Sequence, residues 1–361
     1  MAGLLRGLPL FFRIEYTFAD TIKEFFMDID LVVLWVDGTD PAWLAEKKKY
    51  EPEKLLPDGG DNRYRDWGLM RYWFRSIEAF APWVRKVFFV TWGHIPGFLN
   101  TEAPKLQIVR HEDFIPKAYL PTFNSCSIEA NLHRLPGLSE HFVYFNDDIF
   151  LLRPTVPEDF FRKGLPCAYG PEKPIAYSTI YNTWRHQLCN DLWIIGRHYR
   201  KREQVRKNRA KYIVWGYGLR DNIRTLALEV LYPNTFMGFG NLHGPSSFLL
   251  DTYREIWEKE SEVLDCSCRE KFRNFNQVNQ NLFQWWQIAK GTMAPFKLDI
   301  SVNSITDKSI DQLCTIIRQR QHTCVCLQDN LDDASVSIEE MSSKLQEAFS
   351  AILPRKSQFE L

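Results

Sequence analysis

The chain has no CxxC pair, no internal repeat and no excess of charge of either sign, with 45 basic residues against 45 acidic ones. A balanced charge excludes a general nucleic-acid coat, so any polyanion has to be met by a local patch. Cysteine is sparse: eight thiols in 361 residues (Cys126, Cys167, Cys189, Cys266, Cys268, Cys314, Cys324 and Cys326) are too few for a disulfide scaffold. The two CxC pairs, "CSC" and "CVC", lack the spacing of paired zinc ligands, and reduced thiols in a cytoplasm are the expectation. The N-terminal stretch "MAGLLRGLPLFFRIEYTFADTIKEFF" has its apolar segments broken by Arg6, Arg13 and Glu15, which argues against a transmembrane helix and a signal peptide. Residues 1–27 therefore read as an N-terminal element packed on a main domain of residues 28–361. Glycine and proline are ordinary at 18 and 19 residues, while aromatics reach 14%, the profile of a folded protein with a large core.

Three apolar runs share one design. "DLVVLWVDG" stops at Asp37 and Gly38, "VRKVFFVTWG" at Thr91 and Gly93, and "HFVYFNDD" at Asn146, Asp147 and Asp148. Short β-branched and aromatic runs that end in turn residues predict buried strands. Between them, "LMRYWFRSIEAF" after the candidate cap Asp66 and "SIEANLHRL" after Ser125 and Ser127 carry helical patterns. Strand alternating with helix predicts an α/β fold with a mostly parallel sheet flanked by helices, and ligands then gather beyond the C-terminal strand ends, at Asp37, Thr91 and the Asp147/Asp148 pair. Residues of about 170–240 differ: the basic run "RHYRKREQVRKNRAKY" reads as a helical insertion. The tail, about 337–353, has Ser337 and Glu340 in capping-box spacing and Ile338, Met341, Leu345, Phe349 and Ile352 on one face, which predicts a docking helix.

The chemistry concentrates in "HFVYFNDDIFLL". Two adjacent carboxylates inside an apolar run need a cation or a tight turn, because burying them unpaired is costly. Hard oxygens at a strand end suit magnesium or manganese bridging a nucleotide diphosphate. Glu129 and His133, four apart on the predicted helix, share a face and could ligate or pair. His243 in "GNLHGPSSF" stands in a Gly-rich turn before an expected helix, placed to act as a general base. "GFGNLH" lacks the third glycine of a dinucleotide fingerprint, which excludes a nicotinamide site. Arg273 in "KFRNFNQVNQNLF" is a fork of donors suited to phosphate.

Together these stretches resemble the Stealth proteins, the family that contains bacterial capsular polysaccharide phosphotransferases and the lysosomal-enzyme N-acetylglucosamine-1-phosphotransferase. "DLVVLWVDGTDP", "RYRDWGLMRYWFRSIEAFAPWVRKVFFVTWG" and "LPTFNSCSIEANLHRLPGLSEHFVYFNDDIFL" are similar to its first two conserved regions, "LHGPSSFLLDTYREIWEKE" with "FRNFNQVNQNLFQWWQ" to the third, and "CLQDNLDD" through "SQFEL" to the fourth. Gln328 stands where the family commonly has Asn in "CLND". The resemblance implies transfer of a sugar-1-phosphate, expected to be N-acetylglucosamine-1-phosphate, from a UDP-hexose to a polysaccharide or lipid-linked glycan, with release of UMP. It implies Glu129, Asp148, His243 and Arg273 as catalytic residues and Asp147 with Asp148 as ligands of Mg²⁺ or Mn²⁺, with Glu129 either orienting His243 or ligating. Asp37, Gly38, Arg75 and Asn124 are expected at the donor. No nucleic acid is expected as a partner, and the expected place of work is the cytoplasm, with peripheral contact at the inner face of the membrane. The alternatives are a glycosyltransferase releasing UDP, since an Asp pair on a nucleotide-sugar sheet serves both chemistries, and a silent glycan-binding module.

Overall fold

All three runs expected as buried strands are neighbours in one sheet of the computed structural model, which describes residues 27–53, 61–176, 183–329, 331 and 337–361. Strands β1 (Ile29–Leu34), β2 (Val87–Thr91), β3 (Leu106–Arg110) and β4 (His141–Phe145) lie parallel in the order β3-β2-β1-β4. Their alternate residues feed two cores, which is why they read as continuous apolar runs. Leu31, Val33, Phe89, Val143 and Phe145 face one side, and Val32, Phe88, Val90, Phe142 and Tyr144 the other.

Beyond β4 the chain changes sheets. Asn146, Asp147 and Asp148 form the loop into β5 (Ile149–Leu151), while β6 (Ser246–Leu249) closes the main sheet antiparallel to β4. Strands β7 (Ile300–Ile305) and β8 (Cys324–Asp329) complete a second sheet in the order β7-β8-β5. The Leu327 N–H donates to the Asp148 carbonyl at 2.9 Å and ties the loop to the second sheet. The two carboxylates thus stand at a junction between sheets, which explains how an apolar run on both sides tolerates them.

The helices cover both faces. Those of six residues or more among the described residues are, in chain order, α1 (Pro41–Tyr50), α2 (Met70–Phe80), α3 (Ser125–Ala130), α4 (Thr183–His198), α5 (Lys201–Tyr212), α6 (Leu219–Leu231), α7 (Leu250–Lys259), α8 (Ser261–Arg269), α9 (Asn281–Lys290), α10 (Ile310–Arg318) and α11 (Ile338–Ile352). Helix α2 buries Met70, Trp73, Phe74, Ile77 and Phe80 against the first core, which the second sheet, α10 and α11 complete. Helices α4, α7, α8 and α9 pack on the second core. The tail helix starts as its capping spacing predicts, the Ser337 hydroxyl accepting from the Glu340 N–H at 3.2 Å, and docks with Phe349 stacked 5.7 Å from Tyr72 and tilted against Phe150 at 4.8 Å. The basic run is helical except at Tyr199 and Arg200, which separate α4 from α5, and most of it lies in α5.

Three local expectations are corrected. Asp66 does not cap α2: its carboxylate accepts from Gly68 N–H at 2.8 Å, and Leu69 occupies the cap position without a side-chain bond. Asn124, rather than Ser125 or Ser127, caps α3 by accepting from Cys126 N–H at 3.2 Å. The turn carrying His243 leads into β6 and only then into α7. The expected N-terminal element lies outside the described residues, apart from Met27.

Candidate active site

A cavity of about 570 Å³ opens where β1 and β4 end, the point at which successive strands of the main sheet depart in opposite directions. Glu129, Asp147, Asp148, His243 and Arg273 all line it. Helix α3 brings Glu129, the loop after β4 brings the two aspartates, the turn before β6 brings His243, and the segment before α9 brings Arg273.

Glu129 is buried at 5% exposure, and burial raises its carboxyl above the ordinary value. The Arg273 charge and the Tyr144 hydroxyl, which donates to Oε1 at 3.1 Å, oppose that shift. Arg273 is itself held by donating to the Ser125 hydroxyl at 2.7 Å. His243 sits at φ 48°, a left-handed conformation that few non-glycine residues adopt. Asn241 secures it, accepting from the His243 N–H at 2.6 Å, while its own amide donates to Asn281 at 3.0 Å and Asn281 donates to Asn279 at 2.7 Å. A ladder of amides from the start of α9 therefore fixes the turn.

Two donor sets for a cation meet in this cavity. Asp147 and Asp148 offer carboxylate oxygens, the ligands of magnesium and manganese. Asp148, His243 and Cys326 bring an oxygen, a nitrogen and a sulfur within 4.8 Å of one another, a set suited to a softer ion. Burial and the Asp148 charge hold the Cys326 thiol protonated, so it donates to Asp148 Oδ2 at 3.3 Å instead of acting as a thiolate ligand. Asp148 Oδ1 is buried with no hydrogen-bond partner. The carboxylate pair therefore fits a hard divalent ion.

Asp147 is exposed at the cavity, yet the protein around it displaces enough water that, with the Asp148 and Asp66 charges, its carboxyl is raised to about 7. A carboxyl raised in the folded state contributes stability that is fully present below its unfolded value and is lost as pH rises through about 7. The metal-free protein is expected to lose melting temperature from about pH 4 to about pH 7, and Asp147→Asn should remove that part of the slope. Because a cation binds the ionised form, added magnesium should raise the melting temperature more at the alkaline end. Calorimetry across pH checks this, and identical slopes in the two proteins would count against it.

Comparison with known proteins shows the family. Residues 27–55 match Stealth conserved region 1 and residues 63–167 match Stealth conserved region 2. The chain is 36% identical over 334 residues to the Capsular polysaccharide phosphotransferase WcwK of Streptococcus pneumoniae, covering 92% of this chain and 99% of that one. The chain belongs to the Stealth family. It is likewise 36% identical over 341 residues to the Receptor polysaccharide phosphotransferase WefC of Streptococcus gordonii, covering 92% and 99% of the two chains. The Exopolysaccharide phosphotransferase cps2G of Lactiplantibacillus plantarum is 31% identical over 334 residues, covering 92% and 96%. This Stealth protein is accordingly an enzyme that transfers phosphate-containing groups.

The structure does not bring every expected residue of this Stealth protein to the cavity. Arg75 is corrected outright: it makes a two-pronged pair with Glu360 at 2.8 Å for each prong and donates to the Leu353 carbonyl, so it anchors the C-terminal tail. Arg75→Ala is expected to cost about 2 kcal/mol or more of stability with the donor KM unchanged; a raised KM at unchanged melting temperature would restore the donor role. Asn124 is fully buried, capping α3 and donating to the Glu270 and Phe272 carbonyls, which sets the approach of Arg273. Asp37 stands just outside, its carboxylate accepting from the Thr39 N–H at 2.9 Å and hydroxyl at 2.6 Å as a turn residue. Gly38 is needed by the Tyr64 backbone, since a Cβ there would lie 2.0 Å from the Tyr64 carbonyl oxygen. Thr91 is buried and donates to the His94 carbonyl at 2.8 Å. His133 does not join Glu129, because α3 ends at Ala130 and the following turn carries His133 to Tyr253 and Trp257.

Sequence reasoning missed Asp66, Cys326 and the amides Asn241, Asn279, Gln280 and Asn281, all of them cavity-lining or within bonding distance of it. Only the run of three amides ahead of an apolar helix carried a local signal.

Proposed function

We propose that this enzyme transfers a hexose-1-phosphate, with N-acetylglucosamine-1-phosphate as the expected group, from a UDP-sugar to a hydroxyl of a growing capsular or cell-surface glycan, releasing UMP. The observation that carries the reading is the meeting, in one cavity, of a histidine turn, a carboxylate pair and the cationic Arg273 beside buried Glu129. Phosphoryl transfer asks for little covalent chemistry and much positioning and charge stabilisation, which is what this set offers.

Trp43, Tyr64, Phe123 and Phe272 form an aromatic wall, with Phe123 stacked 5.4 Å from Phe272, suited to a nucleobase. Arg273 lines the cavity and offers its guanidinium to the phosphates. His243 takes the proton of the acceptor hydroxyl as its oxygen attacks the phosphorus that bears the sugar. The bond from that phosphorus to the bridging oxygen breaks, and UMP leaves with the bonding pair. Asp147 and Asp148 would hold magnesium or manganese, which supplies positive charge to the phosphates when bound. Glu129 keeps Arg273 and Tyr144 in place. Among the described residues no helix is long and apolar enough to cross a membrane, and the expected place of work is the cytoplasmic face of one.

Phosphorus NMR of the purified product tests the linkage. A phosphodiester resonance between sugar and glycan, with the donor's anomeric configuration retained, is expected; a plain glycoside without phosphorus would make the enzyme a glycosyltransferase.

A further inference from the structure

The helical insertion turns its apolar side outward. On α6, Leu219, Ile223, Leu226 and Val230 are spaced by four, three and four residues and so form one stripe. They are exposed at 74%, 56%, 38% and 79%. The inward side is mostly polar, with Leu228 its one buried apolar residue: Thr225 is buried and accepts from the Glu172 N–H at 3.1 Å, while Arg224 pairs with Asp221 at 2.8 Å and donates to the Glu172 carbonyl. A surface helix of a water-soluble protein ordinarily has the reverse arrangement. Trp215, in the turn ahead of α6, is 95% exposed, and Leu231 and Tyr232 prolong the stripe.

Beside this stripe runs the basic helix. Arg209 of α5 pairs with Glu229 of α6 at 3.3 Å, and Arg202, Arg206 and Lys207 are exposed on α5. We propose that α5 and α6 form an interfacial membrane anchor, with the α6 stripe and Trp215 seated at the acyl boundary of an anionic bilayer and the α5 cations on its headgroups. Charge decides between lipid and a second copy as the cover. A two-fold interface through the stripe would place the cations flanking both copies at one rim, whereas anionic headgroups complement them. The anchor is also continuous with the active site. A cavity of about 530 Å³, lined by Lys173, Arg220, Arg224 and Lys297, lies between the start of α6 and Asn241, the residue that secures the His243 turn. That an acceptor enters from this side rests on the transferase reading; the anchor itself does not.

Flotation of the full chain with vesicles of phosphatidylglycerol and phosphatidylcholine, against vesicles of phosphatidylcholine alone, tests the proposal. Binding to the anionic vesicles that weakens with salt is expected. The variant Trp215→Ser/Ile223→Ser/Val230→Ser should bind about tenfold more weakly or not at all, and Arg202→Ala/Arg206→Ala/Lys207→Ala should lose the preference for anionic lipid. All six side chains are exposed, so melting temperature and turnover on a soluble acceptor should hold. Brominated lipid should quench a part of the tryptophan fluorescence that Trp215→Phe lacks, a readout independent of the multiple variants. Absence of flotation, flotation undiminished in the stripe variant, or a dimer that the stripe variant dissociates without any vesicle binding would each overturn the anchor. Vesicle binding by a protein that transfers no sugar-phosphate would leave the anchor standing and remove the transferase reading instead.

Discussion

Arg273→Met is expected to lower turnover by about 10²–10³ and to lower stability by about 1–3 kcal/mol. The two losses have separate causes. Turnover falls because the guanidinium is a cation placed where phosphate charge would lie in the cavity. Stability falls because Arg273 offsets the burial of the Glu129 carboxylate, which then has to take up a proton or remain uncompensated. Arg273→Met/Glu129→Gln should therefore recover the melting temperature while turnover stays low. A stable Arg273→Met variant with wild-type turnover would remove Arg273 from the site. Recovery of both properties in the double variant would make the pair purely structural.

His243→Ala should reduce kcat by about 10²–10⁴, the reach of general acid–base catalysis, while donor affinity survives. The turn is over-determined by the amide ladder, with the His243 N–H bonded to Asn241 and Asn241 bonded to Asn281, so its backbone should persist in the variant. Asn241→Ala acts one step away, through the His243 N–H, and is expected to lower kcat less. Steady-state kinetics with a binding measurement for the donor nucleotide check both variants. Equal turnover of His243→Ala and wild type would leave His243 a turn residue.

How far the sequence revealed this site depended on how far apart the interacting residues lie. The parallel sheet was legible because its strands are buried on both faces and so read as unbroken β-branched and aromatic runs, and the tail helix because its cap and apolar stripe are local. The Asn146–Asp148 interruption was legible as the end of a buried strand but not as a change of sheet, since β5 pairs with β8, where Cys326 reaches Asp148 across 178 positions. Arg75 misled for the same reason: its partner Glu360 is 285 positions away and leaves no trace in the pattern around "RYWFRS". Glu129 and His133 shared a face only while the helix was taken to continue, and it stops at Ala130. The basic run was visible in α5, but only the packing showed that α6 leaves its stripe of Leu219, Ile223, Leu226 and Val230 outward.

Chromatography of the spent nucleotide after turnover with a UDP-sugar tests the central claim most directly. Attack at the phosphorus that bears the sugar breaks the diphosphate, so each transfer should release one UMP and the sugar should reach the glycan with its phosphate. Stoichiometric UDP, with the sugar joined to the acceptor through its anomeric carbon alone, would contradict it.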